Sequence, residues 1–183
     1  MDRARERIIG SDIVIMQLEV PLETVYHTVA LCAKHAVRVI LNPAPANPAL
    51  DVDRIKSVAI FAPNETELET LTGQSVSTID EVRAAAMGLL RKGLSKILVT
   101  LGEKGSFLLS TEGETLVPAF PVKSVDTTGA GDAFIGCFAT WLVESGDVVK
   151  AIKAANKYAA LATTRPGTQK SFVDRATFEA ARG

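Results

Sequence analysis

The chain has 183 residues, with 20 Lys or Arg against 21 Asp or Glu, so its formal net charge is −1. At about 150 residues per domain, that length predicts a single domain over 1–183, large enough to bury a sizeable core. The charge balance excludes a sequence-independent grip on nucleic acid or an anionic membrane, because both need positive charge in excess facing phosphates. A small neutral or anionic metabolite fits better. The two cysteines, Cys32 and Cys137, match neither a disulfide framework nor a CxxC metal spacing, which predicts a reducing compartment. Residues 1–7 lack the apolar run of a signal peptide, and no stretch approaches about 18 uninterrupted apolar residues, so a soluble, cytoplasmic protein is expected.

Short apolar runs alternate with longer amphipathic ones, the pattern of parallel strands joined by crossover helices. Residues 12–18 read as a buried strand. After Pro21, suited to the first turn of a helix, Leu22, Val25, Tyr26, Val29, Ala30 and Ala33 recur at helical spacing and predict one apolar face. A second strand over 37–41 is stopped by Asn42-Pro43-Ala44-Pro45, since proline cannot donate to a ladder. A third strand is predicted over 57–61, closed by Pro63. Thr78 and Glu81 have capping-box spacing and open a helix that Gly93 closes, followed by a fourth strand over 96–100. From 106 to 124 the period shortens to small strands around a glycine turn at Gly113. A glycine-rich loop at 129–131, a helix to about Val143, a break at Ser145-Gly146 and a last helix over 148–162 complete the chain. The sheet is open and α/β, so ligands should gather at the carboxyl ends of its strands.

The strongest chemical signal is Val125-Asp126-Thr127-Thr128-Gly129-Ala130-Gly131-Asp132-Ala133-Phe134. Two glycines two apart allow a tight turn whose N–H groups converge, and the apolar run beyond Asp132 puts that nest at a helix N-terminus, which attracts phosphate. Asp132 is open to two readings: a helix-start residue favoured by the dipole, or a carboxylate that takes a proton from an alcohol attacking phosphate. His27 and His35 have no cluster at ligand spacing and read as solvated or helix-end residues. Phe138 and Trp141 follow the apolar face of the helix after Asp132 and read as core. There is no Gly-x-x-x-x-Gly-Lys-[Ser/Thr] segment, which excludes a P-loop ATPase.

Five ordered segments carry a resemblance: the glycine loop, Met16-Gln17-Leu18-Glu19, Asn42-Pro43-Ala44-Pro45-Ala46, Pro63-Asn64-Glu65-Thr66-Glu67 with Leu71-Thr72-Gly73, and Thr100-Leu101-Gly102-Glu103-Lys104-Gly105. Together they resemble the PfkB carbohydrate kinases, the ribokinase-like superfamily, and within it the ribokinases more than fructokinases or adenosine kinases. The resemblance implies a three-layer α/β/α sandwich around an open, mostly parallel sheet. It also implies an ATP-dependent sugar kinase that transfers the γ-phosphate to the 5-hydroxyl of D-ribose.

By that resemblance Asp132 is the catalytic base, also touching the sugar, and the N–H groups of Gly129, Ala130, Gly131 and Asp132 form the anion hole for the transferring phosphoryl group. Glu19 contacts a sugar hydroxyl. Asn64 belongs to the nucleotide site, and Glu67 organises Mg²⁺ through water, although Asn-x-x-Glu is equally a capping-box spacing. Thr100, Leu101, Gly102, Glu103, Lys104 and Gly105 line the ATP site, although Gly102 and Gly105 would also suit a plain hairpin turn. Gly131, Asp132 and Asn156 join them, and Asn156 could equally lie on a solvated face. Asp126, Thr128 and Ala162 match positions that hold a monovalent cation, expected to be K⁺, as do Arg165, Gly167 and Ser171. Lys170 stands among them, where an ammonium would compete with the cation.

Members of this superfamily carry an N-terminal region with the first strands, a Gly-Gly sugar motif and a β lid. None of these is in the sequence, so an uncovered apolar sheet edge is expected, together with a homodimer or a complementing N-terminal segment. Two alternatives to ribose phosphorylation follow: a non-catalytic or split nucleotide-binding module that needs another chain, and a kinase for a different sugar or nucleoside.

Overall fold

The computed structural model describes residues 4–181; the outermost residues of the 1–183 span, including the first three of the stretch searched for a signal peptide, lie outside the described residues. The chain order is α1 (Arg5–Ile9), β1 (Ile13–Met16), α2 (Leu22–Lys34), β2 (Arg38–Leu41), β3 (Ile60–Phe61), α3 (Glu65–Thr72) and α4 (Ile79–Arg91). Then follow β4 (Lys96–Thr100), β5 (Ser106–Ser110), β6 (Gly113–Val117), α5 (Ala130–Ser145), α6 (Val148–Ala162) and α7 (Arg175–Ala180). The six strands form one mixed, mostly parallel sheet in the order β1-β2-β3-β4-β5-β6. Among the described residues no helix is long and apolar enough to cross a membrane. The chain divides into two compact units: 1–101 with 107–115, and 102–106 with 116–183.

In the first unit β1 to β4 run parallel, registered Ile13 to Arg38, Ile40 to Ile60 and Phe61 to Ile97. The core gathers Val25, Val29, Leu41, Phe61, Leu68, Leu89 and Val99 from helices and strands alike, all at most 1% exposed. Three expectations need correction here. β1 is not buried: among the described residues it ends the sheet with a neighbour on one side only, and Ile15 is 43% exposed, so this apolar edge is uncovered there. The apolar face of α2 is rotated, with Thr28 and Cys32 buried beside Val25, Tyr26 and Val29 while Ala30 and Ala33 face solvent; the larger side chains at 25, 29 and 32 share one stripe. Pro21 stands at the N-cap of this helix, one position before its first turn.

The third correction concerns β3, which has two residues where the sequence suggested five. A 3₁₀ turn at Val52–Ile55 keeps the chain curling, with the Val58 N–H on the Ile55 carbonyl, and pairing begins only where Ala59 donates to Val39. The capping box at Thr78 and Glu81 is complete, with Glu81 N–H on Thr78 Oγ1 and Thr78 N–H on Glu81 Oε2. β4 occupies the expected residues, and β5 and β6 form the hairpin. Among the described residues no strand follows Val117, where Pro118 and Pro121 remove two ladder donors.

In the second unit α5 and α6 pack together, and within α5 Phe134 and Phe138 stack at 6.2 Å between ring centroids. Gly146, at φ 67°, ends α5 two residues past the expected Val143, and Asp147 caps α6 by accepting from the Lys150 N–H. Tyr158, Phe172, Phe178 and the half-buried Trp141 form an aromatic cluster at the end of the chain, with Phe178 5.9 Å from Tyr158 and 6.1 Å from Trp141.

Candidate active site

In the first unit the hydrogen bonding continues past the carboxyl ends of the strands. Asn42 N–H donates to the Met16 carbonyl at 2.9 Å, Ala62 N–H to Leu41 at 2.8 Å and Thr100 N–H to Pro63 at 3.0 Å. A further parallel bridge pairs Asn64 with Thr100, so two of the segments expected at the nucleotide site are adjacent. Glu19 follows β1 and is exposed.

Asn64 and Glu67 form a complete capping box at the start of α3. Glu67 N–H donates to Asn64 Oδ1 at 2.8 Å, and Asn64 N–H donates to Glu67 Oε2 at 2.9 Å. The helix-cap reading of Asn-x-x-Glu is therefore realised in the fold. The Glu67 side chain, only 8% exposed, also accepts from Asn64 Nδ2 at 3.0 Å and from Asn42 Nδ2 at 3.4 Å. Burial pushes its carboxyl above the ordinary range, against the pull of the Asn64 N–H and the Asn42 amide. A carboxylate offers about four lone-pair sites, and three donors leave about one of them open. That donor set fits a hydrated magnesium ion met through water better than direct ligation, and among the described residues no cluster of three His, Cys, Asp or Glu stands ready to ligate a metal. Asn42, and Gln17 whose Nε2 donates to Asn42 Oδ1 at 3.2 Å, join this cluster, and sequence reasoning assigned neither of them a role. Their segments were visible, but Asn42-Pro43 reads first as a strand stop.

In the second unit the glycine loop differs from the expected nest. Only Gly129 adopts left-handed backbone, at φ 79°, and serves as N-cap of α5; Gly131 lies inside the first helical turn. The tight turn belongs to Gly129 alone. Gly131 contributes openness, since a Cβ there would meet nothing within 4 Å. The Ala130 N–H is satisfied by the Thr127 carbonyl at 3.1 Å, whereas the Gly131 N–H has no acceptor among the described residues. Asp132 is exposed in that same turn, at one end of a mostly apolar groove of about 410 Å³ that runs along α5 past Cys137 and Trp141 to Tyr158 and Phe178. Phe138 is core as expected, while Trp141 lines this groove.

Asp126 Oδ1 accepts the Thr128 N–H at 2.9 Å and Oδ2 accepts the Gly167 N–H at 2.8 Å, tying three of the expected cation-site residues together. Those N–H groups, Gly167 first, hold the Asp126 carboxyl down to about 2, so it is ionised at neutral pH. The Val125 and Asp126 N–H groups both reach the Thr163 carbonyl, next to buried Ala162. Ser171 is fully buried and bonds the Thr168 carbonyl at 2.6 Å, and Arg165 and Lys170 are exposed; no hydrogen bond joins these three to Asp126 among the described residues. The printed contacts of the Asp126 carboxylate are thus with N–H donors, and the Thr163 carbonyl beside it already accepts two more.

Gly102, Glu103 and Lys104 form an exposed 3₁₀ turn that leads into buried Gly105. Gly105, at φ 101°, presses against the 117–119 segment, where a Cβ would lie 2.1 Å from the Val117 carbonyl oxygen. It is a contact glycine and not merely a turn glycine. Asn156 is not solvated: it is 7% exposed, accepts from Ser106 Oγ at 2.6 Å, and donates to the Val117 and Pro118 carbonyls at 3.2 and 3.1 Å. His27 is exposed, and His35 caps the end of α2, receiving a hydrogen bond from Arg5 at 3.1 Å.

A family model described as pfkB family carbohydrate kinase matches residues 4–175. The deoxyribokinase of Salmonella typhimurium is 52% identical over 94% of this chain and 56% of its own length. The ribokinase of Haemophilus influenzae is 37% identical with the same two coverages. Among solved structures, Arabidopsis thaliana ribokinase complexed with ribose and ATP superposes with a TM-score of 0.92 at 30% identity, over 98% of this chain and 58% of that one. The chain thus spans little more than half the length of these three relatives.

Proposed function

The chain belongs to the pfkB family of carbohydrate kinases, and from that membership we propose that it is the ATP-handling part of a pentose kinase, transferring the γ-phosphoryl group to a primary 5-hydroxyl. D-ribose is the acceptor suggested by the five segments. The 52% identity to a deoxyribokinase, against 37% to a ribokinase, favours 2-deoxy-D-ribose beside it. The observation that carries the reading is the start of α5, where Asp132 and an unsatisfied Gly131 N–H share one exposed turn behind the left-handed Gly129. There a carboxylate takes the proton of the attacking hydroxyl as the bond from γ-phosphorus to ADP breaks, and N–H groups at the positive end of the helix dipole receive charge from the phosphoryl oxygens.

Asn64 and Glu67 hold the place for hydrated magnesium, which when bound neutralises charge on the nucleotide phosphates. Asp126, Thr128 and Gly167 are the residues that would border the monovalent cation, expected to be potassium. Asn156 acts on the nucleotide site by fixing the 117–118 carbonyls against which Gly105 rests. The test supplies the purified chain with ATP, MgCl₂ and either pentose, and detects sugar 5-phosphate. Product that persists at full turnover in Asp132→Ala refutes the assignment of the base.

A second reading, favoured by the exposed edge strand β1, is a nucleotide-binding module that is completed by another chain or by a second copy. It predicts ADP binding without sugar phosphate. Product formed by this chain alone sinks it.

A further inference from the structure

Resting on the reading of Glu67 as the magnesium-organising carboxylate, we propose that Asn42 is a positioning residue that sets the orientation of that carboxylate, with Gln17 as its buttress. Three consecutive strand ends are linked through one polar chain: Gln17 after β1, Asn42 after β2, and Ala62 with Glu67 at and beyond the end of β3. Asn42 Nδ2 donates to the Ala62 carbonyl at 2.8 Å and to Glu67 Oε2 at 3.4 Å, while its Oδ1 accepts from Gln17 Nε2 at 3.2 Å.

The orientation of this amide follows from its neighbours. A flipped Asn42 would set Oδ1 against both a carbonyl and a carboxylate, and its NH₂ against the Gln17 NH₂, three mismatches at once. Asn64 reaches Glu67 from within the same capping box, with its backbone bridged to Thr100 at the end of β4. Asn42 ties the carboxylate to the end of β2 instead, and its bond to Ala62 keeps its amide from following Glu67 if the helix shifts. A water-mediated metal contact depends on where the lone pair left over by these donors points, which is the property a neighbouring donor governs.

Isothermal titration of the full chain with ADP, in EDTA and at increasing MgCl₂, tests this. In the wild-type chain MgCl₂ should strengthen ADP binding. Asn42→Ala should raise the MgCl₂ concentration required about tenfold, the low end of the usual effect of losing an outer partner, and leave ADP affinity in EDTA unchanged. Glu67→Gln should abolish the magnesium response, and adding Asn42→Ala to it should change nothing further. If Asn42→Ala folds poorly, Gln17→Ala leaves the Asn42 bonds to Ala62 and Glu67 in place and should shift the requirement in the same direction. An unchanged magnesium requirement in the Asn42 or Gln17 variant overturns the proposal, as does an equal loss of ADP affinity with and without magnesium. If ADP binding to the wild-type chain ignores MgCl₂, the functional reading fails and the inference fails with it. A wild-type response whose magnesium requirement either variant leaves unchanged sinks the inference alone.

Discussion

Replacing Gly105 by Ala should be among the costliest single-methyl changes in the chain. The added Cβ would stand 2.1 Å from the Val117 carbonyl oxygen and 2.6 Å from both the Pro118 carbonyl carbon and the Ala119 nitrogen. All three are backbone atoms, so no rotamer change relieves the overlap. The 117–119 segment must move, and with it the two carbonyls that satisfy the buried Asn156 amide. Leaving a buried amide unsatisfied costs about 1–3 kcal/mol, and a side chain at φ 101° adds about 1–2 kcal/mol. Expulsion of the segment should bring the loss to about 4 kcal/mol, a large share of the roughly 5–15 kcal/mol that holds a domain together. Gly102→Ala is the matched control: φ is 55° and nothing lies within 4 Å of the new Cβ, so only the backbone term of about 1 kcal/mol applies. Urea unfolding followed by circular dichroism measures both. A Gly105→Ala loss no larger than that of Gly102→Ala would show that the contact with 117–119 is not what requires glycine at 105.

Other outcomes follow from the same structure. Asn64→Ala removes the side-chain half of a capping box and should destabilise by about 1–2 kcal/mol in urea, with Thr78→Ala on α4 giving a similar loss. Asp126 has a folded-state carboxyl held near 2 against an ordinary 3.8, so its contribution is full above 3.8 and disappears as pH falls toward 2; Asp126→Asn should flatten that part of the acid unfolding curve. The Glu67 carboxyl is shifted the other way. Its effect on stability should therefore be most favourable below 4.5 and decline as pH rises through the higher folded-state value, a trend that Glu67→Gln removes. Burial pushes the Cys137 thiol up to about 12, leaving roughly one thiolate in ten thousand at pH 8, so alkylation by iodoacetamide should be far slower than for a free thiol; rapid labelling would contradict the half-buried placement.

Much of the fold was legible because it is written in local chemistry. The capping box at Thr78 and Glu81, the span of β4, the glycine stop at Gly146 and the last long helix each depend on residues within a few positions of one another. β3 was misjudged because its apolar residues suit a strand, whereas the 3₁₀ turn before it decides where pairing begins. The face of α2 was misjudged for a related reason: alanine periodicity fits two adjacent stripes, and contact with the sheet selects the one bearing Val25, Val29 and Cys32.

The site divides in the same way. Gly129, Asp132, Asn64 and Glu67 could be singled out from sequence, since a glycine before an acidic helix start and an Asn-x-x-Glu spacing carry their chemistry over four residues. The amino-acid sequence by itself determined the α/β alternation, the capping boxes and the glycine turn before α5, all properties of short stretches. Only tertiary structure decided that Asn42 reaches Glu67 from 25 residues away, that Asn156 is a buried clamp on 117–118, and that Gly105 is required by a backbone approach. Each of those depends on which distant backbone group arrives beside a side chain, a meeting that packing creates and no local spacing encodes.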